Sequence, residues 1–275
     1  MGTDFVAKLA NARARHDSLL CVGLDPEPAR FPSGMNGDAS RIFDFCAAIV
    51  DATRDLVSAF KPQFAYFAAH RAEAALERLI EHVREVAPEV PVILDAKRGD
   101  IGSTAEQYAR EAFERYGADA VTLSPYMGFD SIEPYLAYPG KGAILLCRTS
   151  NPGGADLQGL RLASGELLYE HVARLAATSW NRGGQLGLVV GATYPAEIVR
   201  VRALAPTLPL LIPGIGAQGG DARATVRAGA VGGAPIVVST SRAVLYAGSG
   251  ADFAAAARQA AIATRALLND SLPDR

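Results

Sequence analysis

Residues 91–97 read PVILDAK, an apolar run that ends in charged side chains. Seven further apolar runs, rich in β-branched residues, recur along the chain, and each is followed by a stretch with helical spacing. They read LLCVGLD (19–25), AFKPQ (59–63), AVTLSP (120–125), GAILLCRT (142–149), LGLVVGA (186–192), PLLIPGI (209–215) and APIVVSTSR (234–242). Because these runs are continuously apolar and do not alternate, they predict a parallel sheet that is covered on both faces.

The stretches between the runs have the three- and four-residue apolar spacing of amphipathic helices. One such face follows the first run and comprises Ile42, Phe45, Cys46, Ile49 and Val50. Eight strand–helix units in 275 residues correspond to about 34 residues per unit, which fits a (β/α)8 (TIM) barrel of typically ~250 residues. Since no Pro-, Gly- or Ser-rich linker divides the chain, we predict one α/β barrel domain over residues 1–275. A doubly wound open sheet is the competing architecture, which periodicity alone does not exclude.

Composition excludes several classes of protein. Hydrophobic residues make up 49% of the chain and charged residues 20%, which excludes a disordered chain. The 27 Lys and Arg nearly balance the 29 Asp and Glu, which argues against a nucleic-acid-binding protein. The N-terminus lacks the apolar core of a secretory signal, and the longest Ala-rich run is interrupted by charged residues. We therefore expect a cytoplasmic protein that does not contact membranes.

Several kinds of site lack the residues that they need. The cysteines Cys21, Cys46 and Cys147 have no CxxC spacing, so neither a disulfide framework nor a zinc site is expected. The four histidines fall outside the predicted strand ends, so a histidine-based metal site is not expected either. No G-x-S-x-G motif of a serine hydrolase is present.

Polar side chains stand at the predicted strand ends, which is where (β/α)8 barrels place their chemistry. They are Asp25, Lys61, Asp95, Lys97, Asp100, Ser150, Gln218 and Arg242. Taken singly, each also fits a solvated strand end or a structural ion pair, because an unpaired charge is costly to bury.

The stretch LDAKRGDIGSTA (94–105) groups three of these charges. Asp95 and Lys97 are two residues apart on a strand, so we expect their side chains to project to the same side. Asp100 follows past the strand end, and Lys61 at the end of the preceding strand completes an alternating network. Such a series perturbs the pKa values of its members and fixes an ammonium between carboxylates. A purely stabilising ion-pair network is the alternative, but the position at strand ends favours a functional site.

The Gly-rich stretch PGIGAQGGD (213–221) predicts an anion-binding turn. It follows the seventh strand, and the acidic residue that would hold a ribose is missing after it, which argues against a dinucleotide site. The backbone N–H groups of Gly216, Gly219 and Gly220, with the dipole of the following helix, suit a phosphate instead. Barrels commonly bind phosphate at loops seven and eight, where Arg242 adds a guanidinium. A plain Gly-rich turn is the alternative.

The connection RTSNPGGADLQGLRLASG (148–165) is longer than a usual strand-to-helix loop of about 2–6 residues. A polar, Gly-rich segment of this kind is typical of a lid or of a disordered connection.

Several of these motifs together resemble the orotidine 5′-phosphate decarboxylase family. The pattern Asp-x-Lys-x-x-Asp in DAKRGDI, after an apolar strand and before Ile101 and Thr104, is highly specific for the suprafamily to which that family belongs. The Lys-Arg-Gly-Asp-Ile form resembles the longer bacterial branch of the family. Further stretches extend the resemblance over nearly the whole chain. By this resemblance VGLDPEP places Asp25 at the ribose, and FKPQ contains the lysine of the second strand, Lys61. TSNPG places Ser150 at the base. PGIGAQGGD and SRAVLYA place Gln218 and Arg242 at the phosphate.

The resemblance implies an activity, a site and an assembly. It implies decarboxylation of orotidine 5′-phosphate to UMP, with Lys97 as the proton donor to C6 and Asp95 beside the departing carboxylate. It also implies that neither metal nor cofactor takes part, and that the protein is a homodimer in which Asp100, Ile101 and Thr104 enter the partner's active site. Two alternatives remain: a Mg²⁺-dependent hexulose-phosphate synthase of the same suprafamily, and a non-catalytic nucleotide-binding barrel. The TSNPG stretch and Lys61 argue against the first.

Overall fold

The computed structural model of the chain describes residues 4–215 and 220–273. Eight strands run through these residues, one in each apolar run that the sequence predicts. Their bounds are β1 Leu20–Leu24, β2 Ala59–Pro62, β3 Ile93–Arg98, β4 Ala120–Leu123, β5 Gly142–Arg148, β6 Leu186–Val190, β7 Leu210–Pro213 and β8 Ile236–Thr240. Strands β1, β2, β4, β6 and β8 are buried along their whole length, as expected of a sheet that is covered on both faces.

The strands form one parallel sheet in the order β2-β1-β8-β7-β6-β5-β4-β3. Parallel bridges from Phe60 to Val92 and from Gln63 to Asp95 connect its two end strands, β2 and β3. The sheet therefore closes on itself. This closure confirms the predicted (β/α)8 barrel and excludes the open doubly wound sheet.

Helices connect the strands and cover the outside of the barrel. Their bounds are α1 Phe5–His16, α2 Ile42–Thr53, α3 Phe64–Ala68, α4 Glu73–Val86, α5 Gly102–Arg110, α6 Glu133–Leu136, α7 Ala155–Gln158, α8 Leu168–Ala177, α9 Pro195–Leu204, α10 Ala222–Gly229, α11 Arg242–Leu245 and α12 Phe253–Asn269. A π-helical turn, Glu111–Arg115, extends α5. The apolar face that the spacing predicts after the first strand is buried on α2. Such faces form the main core, between the helices and the outside of the sheet.

A second apolar core fills the inside of the barrel. Each strand contributes one buried residue to it: Cys21, Ala59, Ile93, Ala120, Ile144, Val189, Leu211 and Val237. Phe5 and Leu9 of α1 pack against this core at the amino-terminal ends of the strands. Asp4 caps the start of α1, since its carboxylate accepts a hydrogen bond of 2.8 Å from the N–H of Ala7. Apolar packing thus closes this end, and the charged side chains of the strands gather at the opposite end.

Two expectations from composition can be compared with the fold. All three cysteines are buried and free. Within the two described ranges, we find no helix that combines the length and the apolarity needed to span a membrane.

Candidate active site

A series of charges crosses the carboxyl-terminal end of the barrel from β2 to β3. The ammonium nitrogen Nζ of Lys61 lies 2.7 Å from Oδ2 of Asp95, and Nζ of Lys97 lies 2.7 Å from Oδ1 of the same carboxylate. The network between Lys61 and the DAKRGDI motif is therefore present. Within one chain the charges alternate in the predicted order Lys61, Asp95 and Lys97, but Asp100 of the same chain does not supply the second carboxylate expected beside Lys97. Asp100 instead accepts a hydrogen bond of 2.8 Å from the N–H of Ile101.

Burial and charge together set the ionisation of this array. Lys61 and Asp95 are each 6% exposed. Burial alone would favour a neutral carboxyl, but the attraction of Lys61 and Lys97 outweighs it and holds the pKa of Asp95 well below its ordinary value. Burial also works against a charged Lys61, yet the attraction of Asp95 prevails and raises the pKa of that ammonium above its ordinary value. Both groups are therefore charged at neutral pH.

Lys97 departs from regular strand geometry. Its φ angle is 46°, in the left-handed region, which costs a residue with a side chain roughly 1–2 kcal/mol. The pairing of β3 with β4 shifts register between Leu94 and Arg98, so the strand bulges at this point. The ion pair confirms that Asp95 and Lys97 reach the same side, although a bulge and not simple pleating directs the lysine. The Lys97 side chain is 47% exposed, against 9% for that of Asp95.

Two polar side chains that the sequence did not single out also contact Asp95. Nε2 of Gln63 donates to Oδ2 at 3.0 Å, and Oγ1 of Thr122 donates to Oδ1 at 2.9 Å. With the two lysines, the carboxylate accepts four side-chain hydrogen bonds. Gln63 and Thr122 lie within or next to apolar runs, where a single polar residue carries no signal of its partner.

The array lies in a cavity that has two adjoining lobes. The first lobe, of about 530 Å³, is lined by Lys97 and by residues between 149 and 158. The second, of about 340 Å³, is lined by residues that follow β1, β7 and β8. Lys61 and Asp95 line both lobes. The cavity thus brings together six of the predicted residues: Asp25, Lys61, Asp95, Lys97, Ser150 and Arg242.

The connection 148–165, predicted to be a lid or a disordered connection, is folded over the first lobe. A 3-10 turn, Pro152–Gly154, leads directly into α7. Ser150 precedes this turn, and its carbonyl accepts a hydrogen bond of 3.4 Å from the hydroxyl of Thr193. Gly191 allows the close approach, since a Cβ there would lie 2.7 Å from the Ser150 side chain.

A network of four polar side chains ties this connection back to the end of β5. Oε1 of Gln158 accepts a hydrogen bond of 2.9 Å from the N–H of Thr149, and its Nε2 donates to Oγ1 of Thr149 at 2.9 Å. Arg148 is 6% exposed and donates to Gln158 at 3.3 Å and to Glu197 at 2.7 Å. We call these four residues the loop anchor.

Hydrogen bonds between the loops after β1 and β8 build the second lobe. The carboxylate of Asp25 accepts a hydrogen bond from the hydroxyl of Ser241. The hydroxyl of Tyr246 donates to the Asp25 carbonyl at 3.0 Å and accepts from the N–H of Glu27 at 2.7 Å. The other carboxylate oxygen of Asp25, Oδ1, is buried and finds no donor among the described residues. Such an oxygen suits a ligand hydroxyl. Arg242 lines the same lobe as the first residue of α11.

Three residues predicted at a phosphate lie outside the described residues: Gly216, Gln218 and Gly219. Gly220 is described, and its N–H donates to the carbonyl of Gly214 at 3.2 Å. Asp221 caps α10 by accepting hydrogen bonds from the N–H groups of Arg223 at 2.8 Å and Ala224 at 3.1 Å. These amides are therefore already bonded within the protein, and a phosphate contact to Gly220 stays a prediction.

The residues that the resemblance assigns to a partner's site stand apart from the cavity of this chain. None of the three, Asp100, Ile101 and Thr104, belongs to the described lining of either lobe. Ile101 is 50% exposed, and Thr104 is exposed on α5.

The four histidines lie on or between the outer helices. His16, His82 and His171 lie on α1, α4 and α8, and His70 lies between α3 and α4. In the part of the chain that the structure describes, no group of three or more His, Cys, Asp or Glu side chains is placed to hold a metal ion.

The fold and the cavity define a (β/α)8-barrel protein with a lysine–aspartate array at its strand ends. The sequence profile of the orotidine 5′-phosphate decarboxylase / HUMPS family matches residues 18–260. The orotidine 5′-phosphate decarboxylase of Paracidovorax citrulli is 76% identical over 268 residues, which cover 96% of this chain and 98% of that protein. The one of Verminephrobacter eiseniae is 75% identical with the same coverage. A solved structure of Leishmania donovani OMP decarboxylase matches with a TM-score of 0.83 and 41% identity, over 97% of this chain and 99% of that one. The chain belongs to the orotidine 5′-phosphate decarboxylase / HUMPS family.

Proposed function

We propose that this chain decarboxylates orotidine 5′-phosphate to UMP and CO2, as a carboxy-lyase of pyrimidine biosynthesis. One observation carries the proposal: Nζ of Lys97 lies 2.7 Å from the Asp95 carboxylate, in the lobe that also contains Ser150. The family match and the 76% identity to the Paracidovorax citrulli decarboxylase support the same activity.

The chemistry of the reaction requires such an array. Loss of CO2 from C6 leaves an electron pair in an sp² orbital that is orthogonal to the π system of the ring. Delocalisation cannot absorb this charge, so fixed opposite charge must stabilise it. The Lys97 ammonium supplies that charge and then donates a proton to C6, which yields UMP. In this mechanism no metal or organic cofactor takes part.

Asp95 and Lys61 keep the array charged. Asp95 holds Lys97 in place and stands beside the departing carboxylate, and like charges ~4 Å apart repel by about 4 kcal/mol at an effective dielectric of 20. Loss of CO2 removes that repulsion. Lys61 keeps Asp95 ionised, since its attraction lowers the pKa of that carboxyl.

The remaining lining residues bind the parts of the substrate that do not react. Ser150 contacts the base, and Oδ1 of Asp25, which has no donor among the described residues, accepts a ribose hydroxyl. Arg242, with Gln218 and the backbone of Gly216, Gly219 and Gly220, holds the phosphate. Binding energy from this remote group favours closure of the 148–165 connection and lowers the barrier at C6.

The site is completed in a homodimer, in which Asp100, Ile101 and Thr104 of each chain reach the partner's cavity. Their position outside the cavity of their own chain supports this assembly. So does the exposure of large apolar side chains in the loops after β3 and β4, where Ile101, Tyr126 and Met127 are 50%, 78% and 47% exposed. We also propose that the enzyme acts in the cytoplasm and needs neither nucleic acid nor membrane as a partner.

The test is release of CO2 from carboxyl-labelled orotidine 5′-phosphate by the purified protein, with and without EDTA. We expect equal release in both samples and one UMP formed per CO2. CO2 release that EDTA abolishes would contradict the metal-free mechanism, whereas a Mg²⁺-dependent hexulose-phosphate synthase, which catalyses an aldol reaction, would release no CO2 in either sample. Binding of UMP without release of CO2 would indicate a non-catalytic nucleotide-binding barrel.

A further inference from the structure

The backbone of β3 is interrupted at the residues that carry the charged array. Leu94 pairs with Val121 of β4, whereas the next paired residue is Arg98, opposite Leu123. The three residues between Leu94 and Arg98 therefore face a single residue of β4, Thr122, which is 1% exposed.

The hydroxyl of Thr122 occupies the gap in the ladder. Its Oγ1 accepts hydrogen bonds from the N–H groups of Ala96 at 3.1 Å and Lys97 at 3.0 Å. It donates to Oδ1 of Asp95 at 2.9 Å. A hydroxyl offers one proton and two lone pairs, so these three bonds use its whole capacity. Because neither N–H group can accept, the hydroxyl proton is forced toward Asp95, and no capacity is left for a ligand.

The hydrogen bonds of Thr122 also help to hold the left-handed backbone conformation of Lys97. A lysine keeps a φ of 46° when its surroundings hold it there. Thr122 holds the N–H of Lys97 on one side. On the other side the Arg98 guanidinium lies between the rings of Phe64 and Tyr108, 4.3 Å and 4.5 Å from their centres. The start of the Lys97 side chain is thus fixed from both sides.

We propose that Thr122 is a positioning residue for the reaction, acting through its hydroxyl on Lys97 and Asp95. The inference rests on the proposed decarboxylation, in which Lys97 must meet C6. Thr122 sets the direction of the lysine through its backbone N–H, and it sets the orientation of the carboxylate that holds the ammonium. A side chain of the same shape without a hydroxyl would have neither effect, because the first needs a hydrogen-bond acceptor and the second a donor.

Two variants separate the hydroxyl from the shape of the side chain. Thr122→Val keeps the shape and removes the hydroxyl, whereas Thr122→Ser keeps the hydroxyl and removes a methyl group. We expect Thr122→Val to lower kcat by about tenfold to a hundredfold, since a small misplacement of a reacting group costs that much. Its KM and its Kd for UMP should change less than about threefold, because the hydroxyl binds no part of the substrate. Thr122→Ser should stay within about threefold of the wild type in kcat.

Thr53→Val serves as the matched control, because the buried Thr53 hydroxyl donates to the carbonyl of Ile49 on α2, outside the cavity. It should leave kcat unchanged. Full kcat in Thr122→Val, or equal losses in the Val and Ser variants, would overturn the inference. If Thr122→Val does not fold, Thr122→Cys takes its place, since a thiol is a weak donor and acceptor. A wild-type protein that releases no CO2 would refute the proposed function itself, whereas an active wild type with a fully active Val variant would refute only the role of Thr122.

Discussion

Lys61 and Asp95 form a buried ion pair across the seam at which the barrel closes, with 2.7 Å between Nζ and Oδ2. Lys61 belongs to β2 and Asp95 to β3, the two strands that are joined by isolated bridges. The pair therefore links β2 and β3, the two strands that close the barrel, and it also keeps the Asp95 carboxylate ionised beside Lys97. In the proposed mechanism, stability and activity therefore both depend on this contact.

Replacement of Lys61 by methionine should lower both stability and turnover. Removal of one partner of a buried pair leaves the other charge poorly compensated, so we expect the free energy of unfolding at pH 7 to fall by about 3 kcal/mol or more. Denaturant unfolding and steady-state kinetics measure the two effects. Lys8→Met is the control, since Lys8 pairs with Asp119 at 3.0 Å at the amino-terminal end of the barrel. It should reduce stability without lowering kcat.

The stability lost in Lys61→Met should depend on pH. The pKa of Asp95 is depressed in the fold, so its contribution is complete above about pH 4, the ordinary aspartate value, and is lost as the pH falls toward the folded-state pKa. The pKa of Lys61 is raised, so its contribution is complete below about pH 10.4 and is lost as the pH rises further. The difference from the wild type should be constant from about pH 5 to 9 and shrink outside that range. A difference that grows at acid pH would contradict this assignment of charges.

Arg242→Ala should weaken binding of the phosphorylated substrate. A charge-assisted hydrogen bond contributes about 1.5–3 kcal/mol, so KM should rise by roughly tenfold to a hundredfold or more. The loss should nearly disappear on orotidine, which lacks the phosphate, and this comparison is the measurement. Arg54→Ala, at the end of α2 away from the cavity, should leave both substrates unaffected. Equal losses on the two substrates would show that Arg242 does not bind the phosphate.

Adjacent glycines of the 148–165 connection should respond differently to an added methyl group. A Cβ at Gly154 would lie 2.8 Å from Nη1 of Arg148, 2.9 Å from Oγ1 of Thr149 and 3.0 Å from Oε1 of Gln158. These atoms can withdraw only by breaking the loop anchor, so Gly154→Ala should raise KM by about tenfold, consistent with an overpacking cost of about 1–3 kcal/mol. At Gly153 the nearest atom would be 3.6 Å away, so Gly153→Ala should leave KM nearly unchanged. Similar KM values for the two variants would show that the anchor does not control the loop.

Mixing two inactive variants tests whether active sites are shared between chains. Lys97→Ala chains lack the lysine of their own site, and Asp100→Ala chains lack the aspartate that would complete the partner's site. In a heterodimer with shared sites, one site lacks both side chains, while the other contains Lys97 of one chain and Asp100 of its partner. Activity should reappear on mixing, toward one working site per heterodimer. Once mass measurement has verified the heterodimers, a mixture that stays inactive would mean that each chain completes its own site.

The sequence predicts the strands and the charged array well because each leaves a local pattern. Eight buried strands must read as apolar runs, and Asp95 and Lys97 stand two residues apart. The contacts that build the second lobe leave no such pattern. Asp25 and Glu27 bind Ser241 and Tyr246, which lie 216 to 221 residues further along the sequence.

The bulge at Lys97 is equally invisible in the sequence. It arises where β3 meets Thr122 on the neighbouring strand, and alternation along β3 alone predicts only the side of the sheet. The phosphate contact of the Gly-rich turn stays a prediction, because Gly216, Gln218 and Gly219 lie outside the described residues. Asp221 is itself a good helix cap and occupies the N–H groups of Arg223 and Ala224.

The most direct test of the central claim is turnover of orotidine 5′-phosphate by Lys97→Ala beside its affinity for UMP. Lys97 lies 47% exposed in the cavity, so its truncation should leave the fold intact. We expect CO2 release to fall to the background rate while the Kd for UMP, measured by calorimetry, stays within about tenfold of the wild type. Near-normal release of CO2 by the purified variant would contradict Lys97 as the group that stabilises the carbanion and protonates C6.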